Sequence, residues 1–159
     1  GFTEARLYGA NEHDGVGGTG SVFLLLDEPE VYDRVLVDAP CTGLGALRRR
    51  PEARWRRSPD DVVALAPLQR ELLRSALDAV VPGGVVAYAT CSPHLQETTF
   101  VVRDVLKRRD DVEQLDARAF LRDAAGEPVA ATGAGPAAQL WPHVHGTDGM
   151  FVALLRRRA

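Results

Sequence analysis

Two short apolar runs, each followed by a cysteine, constrain the fold of this chain more than any other feature. The first run, residues 35–37, stops at Asp38 and is soon followed by Cys41, whereas the second, residues 85–90, stops directly at Cys91. Short apolar runs rich in β-branched residues predict strands that are buried on both faces. Each predicted strand therefore carries polar chemistry at its carboxyl end.

The segments around these strands have the signals of helices. Residues 58–61 combine an N-cap serine, a proline at the first helical position and an acid at the third. Pro67 is expected to end this helix and to open a second one, which residues 82–84 (PGG) are expected to end. A further helix is expected from about Leu95 to Arg108. The alternation of strands and helices predicts an α/β fold with a parallel sheet and helices on its faces.

The remaining segments have weaker signals. The sequence predicts an irregular basic loop at residues 44–57, a strand at 112–115, a loop rich in Ala, Gly and Pro at 124–138, and a final strand at 150–155. The glycine-rich stretch 14–20 predicts a flexible turn. A phosphate-binding loop is disfavoured there, because these glycines precede an apolar run instead of following a strand.

Composition limits the possible functions. The 159 residues are 45% hydrophobic and 26% charged, as in an ordinary globular domain. A net charge of −3 argues against general affinity for nucleic acid, so any RNA contact must come from a local basic patch. The absence of a signal peptide and of an apolar run near the roughly 18 residues of a membrane helix predicts a cytoplasmic protein. The chain starts with Gly1 rather than Met, which indicates a tag scar, a trimmed chain or a fragment.

The two cysteines are too far apart in sequence to form a Cys-x-x-Cys pair, so neither a disulfide framework nor a cysteine-rich zinc site is indicated. If the two strands are neighbours, Cys41, Cys91 and Asp38 face one crevice at the carboxyl edge of the sheet. Cys91 also precedes a predicted helix, whose dipole favours the thiolate. The alternative is that both cysteines are small buried apolar residues and that Asp38 only caps a turn.

A cluster of arginines follows the first cysteine. These side chains form either a solvated surface or a local RNA-binding patch, and the charge pattern alone favours neither. The cluster comprises Arg48, Arg49, Arg50, Arg54, Arg56 and Arg57.

Three groups of residues, in the right order over roughly residues 32–156, resemble a known family. Residues 38–45 (DAPCTGLG), together with Arg49, Pro51 and Trp55, resemble motif IV of the RNA cytosine-5 methyltransferases, above all the bacterial 16S rRNA enzymes. Residues 90–92 (TCS), with PGG upstream, resemble motif VI of that family. The terminal motif and last strand of the family are similar to residues 140–143 (LWPH) and 146–151 (GTDGMF).

The resemblance implies a Rossmann-like catalytic domain that uses S-adenosylmethionine. This chain is expected to hold the carboxy-terminal half of that domain. The resemblance divides the chain into an irregular or truncated segment, residues 1–31, and a catalytic part, residues 32–159. The expected partner is RNA, 16S rRNA in particular, together with a missing amino-terminal half or domain. Two departures are clear: the family's upstream Pro-Gly-Gly-Lys signature is absent before Asp38, and Gln139 stands near a position where relatives often carry arginine.

The resemblance also implies a role for each site residue. Cys91 is the nucleophile that attacks carbon 6 of cytosine, and Cys41 assists its release. Asp38 lies beside the cofactor and the target base, and Pro40 shapes the turn at the cofactor site. The residues expected to bind RNA phosphates are Arg48, Arg49, Arg50 and Arg54.

Two other interpretations of the same residues stay open. The chain could be a noncatalytic RNA-binding remnant that keeps the basic loop but lacks a working cofactor site. Alternatively, Cys41 and Cys91 could form a redox switch, because two thiols in one crevice can pair.

Overall fold

A mixed sheet is the centre of the computed structural model, which describes residues 30–159. Within this range the strand order is β1-β2-β5-β3, with β4 paired to β5. The strands are β1 (Tyr32–Asp38), β2 (Val80–Thr90), β3 (Val112–Leu115), β4 (Ala138–Gln139) and β5 (Phe151–Arg157). The predictions for residues 14–20 and for nearly all of 1–31 concern residues outside the described range.

The prediction of a parallel sheet is wrong for one strand. β1 and β2 are parallel, but β5 is antiparallel to each of β2, β3 and β4. A parallel neighbour needs a crossover connection, usually a helix. Residues 116–150, which lead from β3 to β5, contain the two-residue β4, the 3-10 turn Ala117–Ala119 and the short helix α4 (Pro142–His145), but no long helix. The chain therefore returns to the sheet in the opposite direction.

A long helix connects the two parallel strands. After the 3-10 turn Leu44–Ala46 and the short α1 (Ala53–Arg56), α2 runs from Pro59 to Ala79 without interruption. The prediction that Pro67 divides it is wrong. Proline removes only its own amide donor, and the partner carbonyl one turn earlier belongs to Val63, which is exposed and can be reached by water.

The PGG segment lies inside β2, so the prediction that it ends the helix is also wrong, since α2 ends just before, at Ala79. The register between β1 and β2 shifts between the pairs Tyr32–Val80 and Arg34–Val85. The extra residues on β2 form a bulge in which Gly83 has a φ of +84°. Glycine adopts this conformation without steric strain.

The helix predicted from Leu95 to Arg108 is shorter than expected. Leu95–Glu97 is a 3-10 turn, and α3 runs from Thr99 to Leu106. No helix within residues 30–159 is long and apolar enough to cross a membrane.

One face of the sheet holds the core. Leu73 and Leu77 of α2 and Val101 of α3 pack with Val86 and Tyr88 of β2, and all five are fully buried. On the other face, Leu36 of β1 is 70% exposed. In the described residues, helices therefore cover one face rather than both, and the carboxyl ends of β1 and β2 stay accessible.

Candidate active site

The turns after β1 and β2 bring the two cysteines together. The parallel pairing aligns Asp38 with Ala89, and the backbone amide of Ala39 extends the ladder by donating to the Ala89 carbonyl at 2.9 Å. The next residues of both strands turn toward each other. Cys41 Sγ and Cys91 Sγ lie 3.3 Å apart, so the two cysteines share one crevice, as the sequence predicts. Both are free thiols.

The two thiols differ in their readiness to ionise. The hydrogen bond from the Cys41 thiol lowers the pKa of Cys91 to about 7, although burial and the charges of Asp38 and Asp148 oppose that shift. The same hydrogen bond, together with burial, raises the pKa of Cys41 well above its usual range. Of the two thiols, Cys91 is therefore the one that ionises first, and Cys41 is the hydrogen-bond donor that favours its thiolate.

The sequence analysis attributed the thiolate at Cys91 to the dipole of a following helix. The structure corrects the cause, because α3 begins only at Thr99 and a 3-10 turn intervenes. A helix dipole acts within about the first turn. The hydrogen bond from the neighbouring Cys41 thiol, rather than a helix dipole, lowers the pKa of Cys91.

A buried carboxylate that the sequence analysis missed joins the two cysteine-bearing turns. Glu97 is fully buried, and its Oε1 accepts from the backbone amide of Thr42 at 2.8 Å. Its Oε2 accepts from the hydroxyls of Thr42 and Ser92, each at 2.6 Å. Gln69 Nε2 donates to the Pro40 carbonyl at 2.7 Å and lies 3.4 Å from Glu97 Oε1. An acid at the start of a predicted helix looks like a solvent-facing cap, so the sequence held no clear signal of this role.

A close backbone contact fixes the turn after Cys41 from the other side. The amide of Gly45 donates to the Cys91 carbonyl at 2.9 Å, and the amide of Gly149 donates to the Gly45 carbonyl at 2.8 Å. A Cβ atom on Gly45 would overlap the Gly149 carbonyl oxygen and lie 2.9 Å from the Cys91 oxygen. Only glycine allows this approach.

The predicted RNA-binding arginines divide into two kinds. Arg49 Nε lies 2.8 and 3.0 Å from the two carboxylate oxygens of Asp148, which is largely buried, so this guanidinium ties the basic segment to the segment before β5. The hydrogen bond from Arg49, helped by its charge, holds the pKa of Asp148 below the usual range. By contrast, Arg48, Arg50 and Arg54 are exposed and make no ion pair within residues 30–159.

The residues predicted to bind the cofactor lie at the edge of the sheet. Asp38 is exposed at the end of β1, and Pro40 is half-buried beside Cys41. A cavity of about 510 Å³ lies elsewhere, between α3 and residues 134–137, and no predicted site residue lines it. The structure thus places an exposed carboxylate and a half-buried proline at this edge of the sheet.

Comparison with known proteins identifies the family. The family model described as 16S rRNA methyltransferase RsmB/F matches residues 16–156. Putative methyltransferase Rv1407 of Mycobacterium tuberculosis is 66% identical over 127 residues, which are 79% of this chain and 26% of that protein. Ribosomal RNA small subunit methyltransferase F of Serratia proteamaculans is 37% identical over 129 residues, 81% of this chain and 26% of that protein. The chain therefore spans about a quarter of the length of these relatives.

Solved structures agree with this family in fold. The crystal structure of PH0851 has a TM-score of 0.69 and 36% identity, covering 81% of this chain and 27% of that one. The structure of NSun6 from Pyrococcus horikoshii with SFG has a TM-score of 0.61 and 28% identity, covering 78% and 29%. The chain belongs to the RsmB/F family of 16S rRNA methyltransferases and contains part of their Rossmann-like fold.

Proposed function

We propose that this chain takes part in S-adenosylmethionine-dependent methylation of carbon 5 of cytosine in RNA, specifically 16S rRNA, through a covalent adduct on Cys91. The observation that carries the proposal is the pair of thiols at the carboxyl ends of β1 and β2, 3.3 Å apart. The hydrogen bond from the Cys41 thiol increases the fraction of Cys91 that is ionised near neutral pH.

The chemistry of cytosine calls for such a thiolate. Carbon 5 is a weak nucleophile until a group adds to carbon 6, so the Cys91 sulfur forms a bond to carbon 6 and moves the ring electrons onto carbon 5. S-adenosylmethionine, when bound, supplies the methyl group that carbon 5 accepts. Solvent water then takes the proton from carbon 5, the electrons of that C–H bond restore the double bond between carbons 5 and 6, and the sulfur leaves carbon 6 as the Cys91 thiolate.

Cys41 contributes to the last of these steps. Because its thiol donates a hydrogen bond to the Cys91 sulfur, it stabilises the thiolate that leaves carbon 6. A sulfur that leaves as a stabilised anion leaves faster, which is the release role expected for Cys41. Its own proton stays in place, since the pKa of Cys41 is raised by this hydrogen bond and by burial.

The cofactor proposal rests on the family and on a structural neighbour determined with SFG, an analogue of S-adenosylmethionine. Asp38 is the described residue available to a cofactor at this edge of the sheet, and Pro40 fixes the turn beside it. Since these residues form only one wall of a site, we propose that a preceding half of the catalytic domain completes it, with residues 32–159 as the carboxy-terminal part.

The RNA proposal rests on the exposed arginines. Arg48, Arg50 and Arg54 present exposed guanidinium groups that form no ion pair within residues 30–159, and such groups bind phosphates. Arg49 has a different position, because Asp148 holds it. We expect Arg49 to orient the basic segment, and contact with RNA through its exposed side stays a prediction.

Transfer of labelled methyl groups to 16S rRNA tests the proposal. With S-adenosylmethionine present, the label should appear as 5-methylcytosine in nuclease digests, and Cys91→Ala should abolish it while RNA binding persists. Arg122→Ala, a change on the surface outside the site, is the matched control. Full methyl transfer by Cys91→Ala would contradict the assignment of the nucleophile.

The exposed arginines also favour a second function, RNA binding without catalysis. Calorimetric titration with S-adenosylmethionine separates the two: micromolar binding supports an enzyme, whereas RNA binding that ignores both the cofactor and Cys91→Ala supports a binding module. A cytoplasmic location, where rRNA is modified and thiols stay reduced, is part of the enzyme proposal.

A further inference from the structure

The buried carboxylate of Glu97 needs an explanation beyond stability. All four of its acceptor positions are used by Thr42, Ser92 and Gln69, and none of these partners is a cation. The two hydroxyl contacts with Oε2 are both 2.6 Å long, at the short end of the range for O–H···O hydrogen bonds. Glutamate side chains are almost never fully buried without a cationic partner, so the buried position of Glu97 is unusual.

The position of Glu97 indicates what the carboxylate does. Thr42 directly follows Cys41, and Ser92 directly follows Cys91, so the two oxygens of one side chain hold the turns of both cysteines. The backbone of Glu97 is itself fixed, because the Tyr88 hydroxyl donates to its carbonyl at 2.8 Å. The tether is therefore anchored to β2.

We propose that Glu97 is a positioning residue whose carboxylate ties the Cys41 turn to the Cys91 turn and so keeps the two sulfurs in hydrogen-bonding contact. The importance of that contact for catalysis rests on the proposed function. Glu97 touches neither sulfur and is not itself a catalytic residue. Its effect on Cys91 passes through the placement of Cys41.

The test reads the thiol pair without RNA or cofactor. The charged groups that face the sulfurs are Asp38, Glu97, Asp148 and Arg49. The rate of alkylation of Cys91 by iodoacetamide is measured against pH by peptide mass spectrometry and should be half-maximal near the Cys91 pKa of about 7, which the Cys41 hydrogen bond sets.

Glu97→Ala releases the tether, so the hydrogen bond from Cys41 should weaken and the alkylation midpoint should rise toward 9.0, the ordinary value for cysteine. A rise of about one pH unit reduces the thiolate fraction, and with it the alkylation rate at pH 7, about fivefold. Glu97→Gln keeps the length and one accepting oxygen and should give a smaller rise. The control is Glu113→Gln, a surface carboxylate bound to Arg156, which should leave the profile unchanged.

Because loss of a buried side chain that accepts several hydrogen bonds can unfold a protein, variants that each remove one of these hydrogen bonds complete the test. Ser92→Ala and Thr42→Val each remove one hydroxyl contact with Glu97 and should raise the midpoint by less than Glu97→Ala does. The proposal is overturned if Glu97→Ala is folded and keeps the alkylation midpoint of the unsubstituted protein. It is also overturned if Glu97→Ala is unfolded and the Glu97→Gln, Ser92→Ala and Thr42→Val variants all keep that midpoint. If the shifts occur but the protein that also carries the preceding half of the catalytic domain does not methylate RNA, the proposed function fails and the positioning role stands.

Discussion

Replacing Gly45 with alanine tests the packing that shapes the site. An added Cβ would overlap the Gly149 carbonyl oxygen and lie 2.8 Å from its carbon and 2.9 Å from the Cys91 oxygen. All three atoms belong to the backbone, so no side chain can rotate away. The turn must move by about an ångström to reach ordinary van der Waals distance, as overpacked sites do. That movement breaks the hydrogen bonds of Gly45 with Cys91 and Gly149.

The magnitude follows from these losses. Overpacking costs about 1–3 kcal/mol, and each lost hydrogen bond costs about 1 kcal/mol. We therefore expect Gly45→Ala to lower the free energy of unfolding by about 3–5 kcal/mol. For a chain of this size, that corresponds to a fall in Tm on the order of 10 °C.

Gly43 provides a matched control in the same turn. It has a φ of +74° with no atom within 4 Å of a built Cβ, so Gly43→Ala adds conformational strain but no overlap. That strain costs about 1–2 kcal/mol. Thermal unfolding followed by circular dichroism should place Gly45→Ala well below Gly43→Ala. Equal Tm values for the two variants would refute the close contact between the turn and Gly149.

Three further outcomes are expected. Cys41→Ala should raise the pKa of Cys91 from about 7 toward 9.0, because the hydrogen bond that lowers it is lost; alkylation that keeps its parental pH midpoint would contradict this. Mild oxidation with diamide should couple Cys41 to Cys91, detected by mass spectrometry as the loss of two hydrogen atoms and reversed by dithiothreitol; persistently free thiols would refute the 3.3 Å contact. Arg49→Ala should lower the Tm at pH 7, whereas Arg50→Ala should leave it unchanged and weaken RNA binding. Since Arg49 depresses the pKa of Asp148 below its ordinary value of 3.8, the ion pair stabilises the fold fully above that pH, and the Arg49→Ala deficit should shrink as the pH falls below 3.8 through the depressed pKa; a deficit that does not shrink as the pH falls would exclude this ion pair as its source.

The parts of the site that depend on neighbouring parallel strands could be predicted from sequence. Two apolar runs joined by a helix make adjacent parallel strands, so Cys41 and Cys91 had to emerge at one edge. The direction of β5 could not be predicted in the same way. An apolar run looks alike in either direction, and only the pairing with β2 and β3 decides it.

Roles that depend on tertiary contacts could not be predicted from the sequence either. Glu97 and Asp148 look like ordinary surface acids in sequence, yet one is fully buried and the other covered by Arg49. Pro67 carries a strong local signal for a helix break, but the buried face of α2 outweighs the loss of one hydrogen bond on its exposed side. Packing, which local patterns do not encode, decided all three.

Trapping the covalent adduct tests the central claim most directly. A base removes hydrogen from carbon 5 as H⁺, but it cannot remove fluorine as F⁺. RNA carrying 5-fluorocytosine should therefore stay bound to the nucleophile once S-adenosylmethionine has supplied the methyl group. We expect an adduct that survives denaturing electrophoresis and maps by mass spectrometry to Cys91, both in the unsubstituted protein and in the Cys41→Ala variant. An adduct on Cys41, or 5-methylcytosine formed from ordinary RNA without any trapped adduct, would contradict the account.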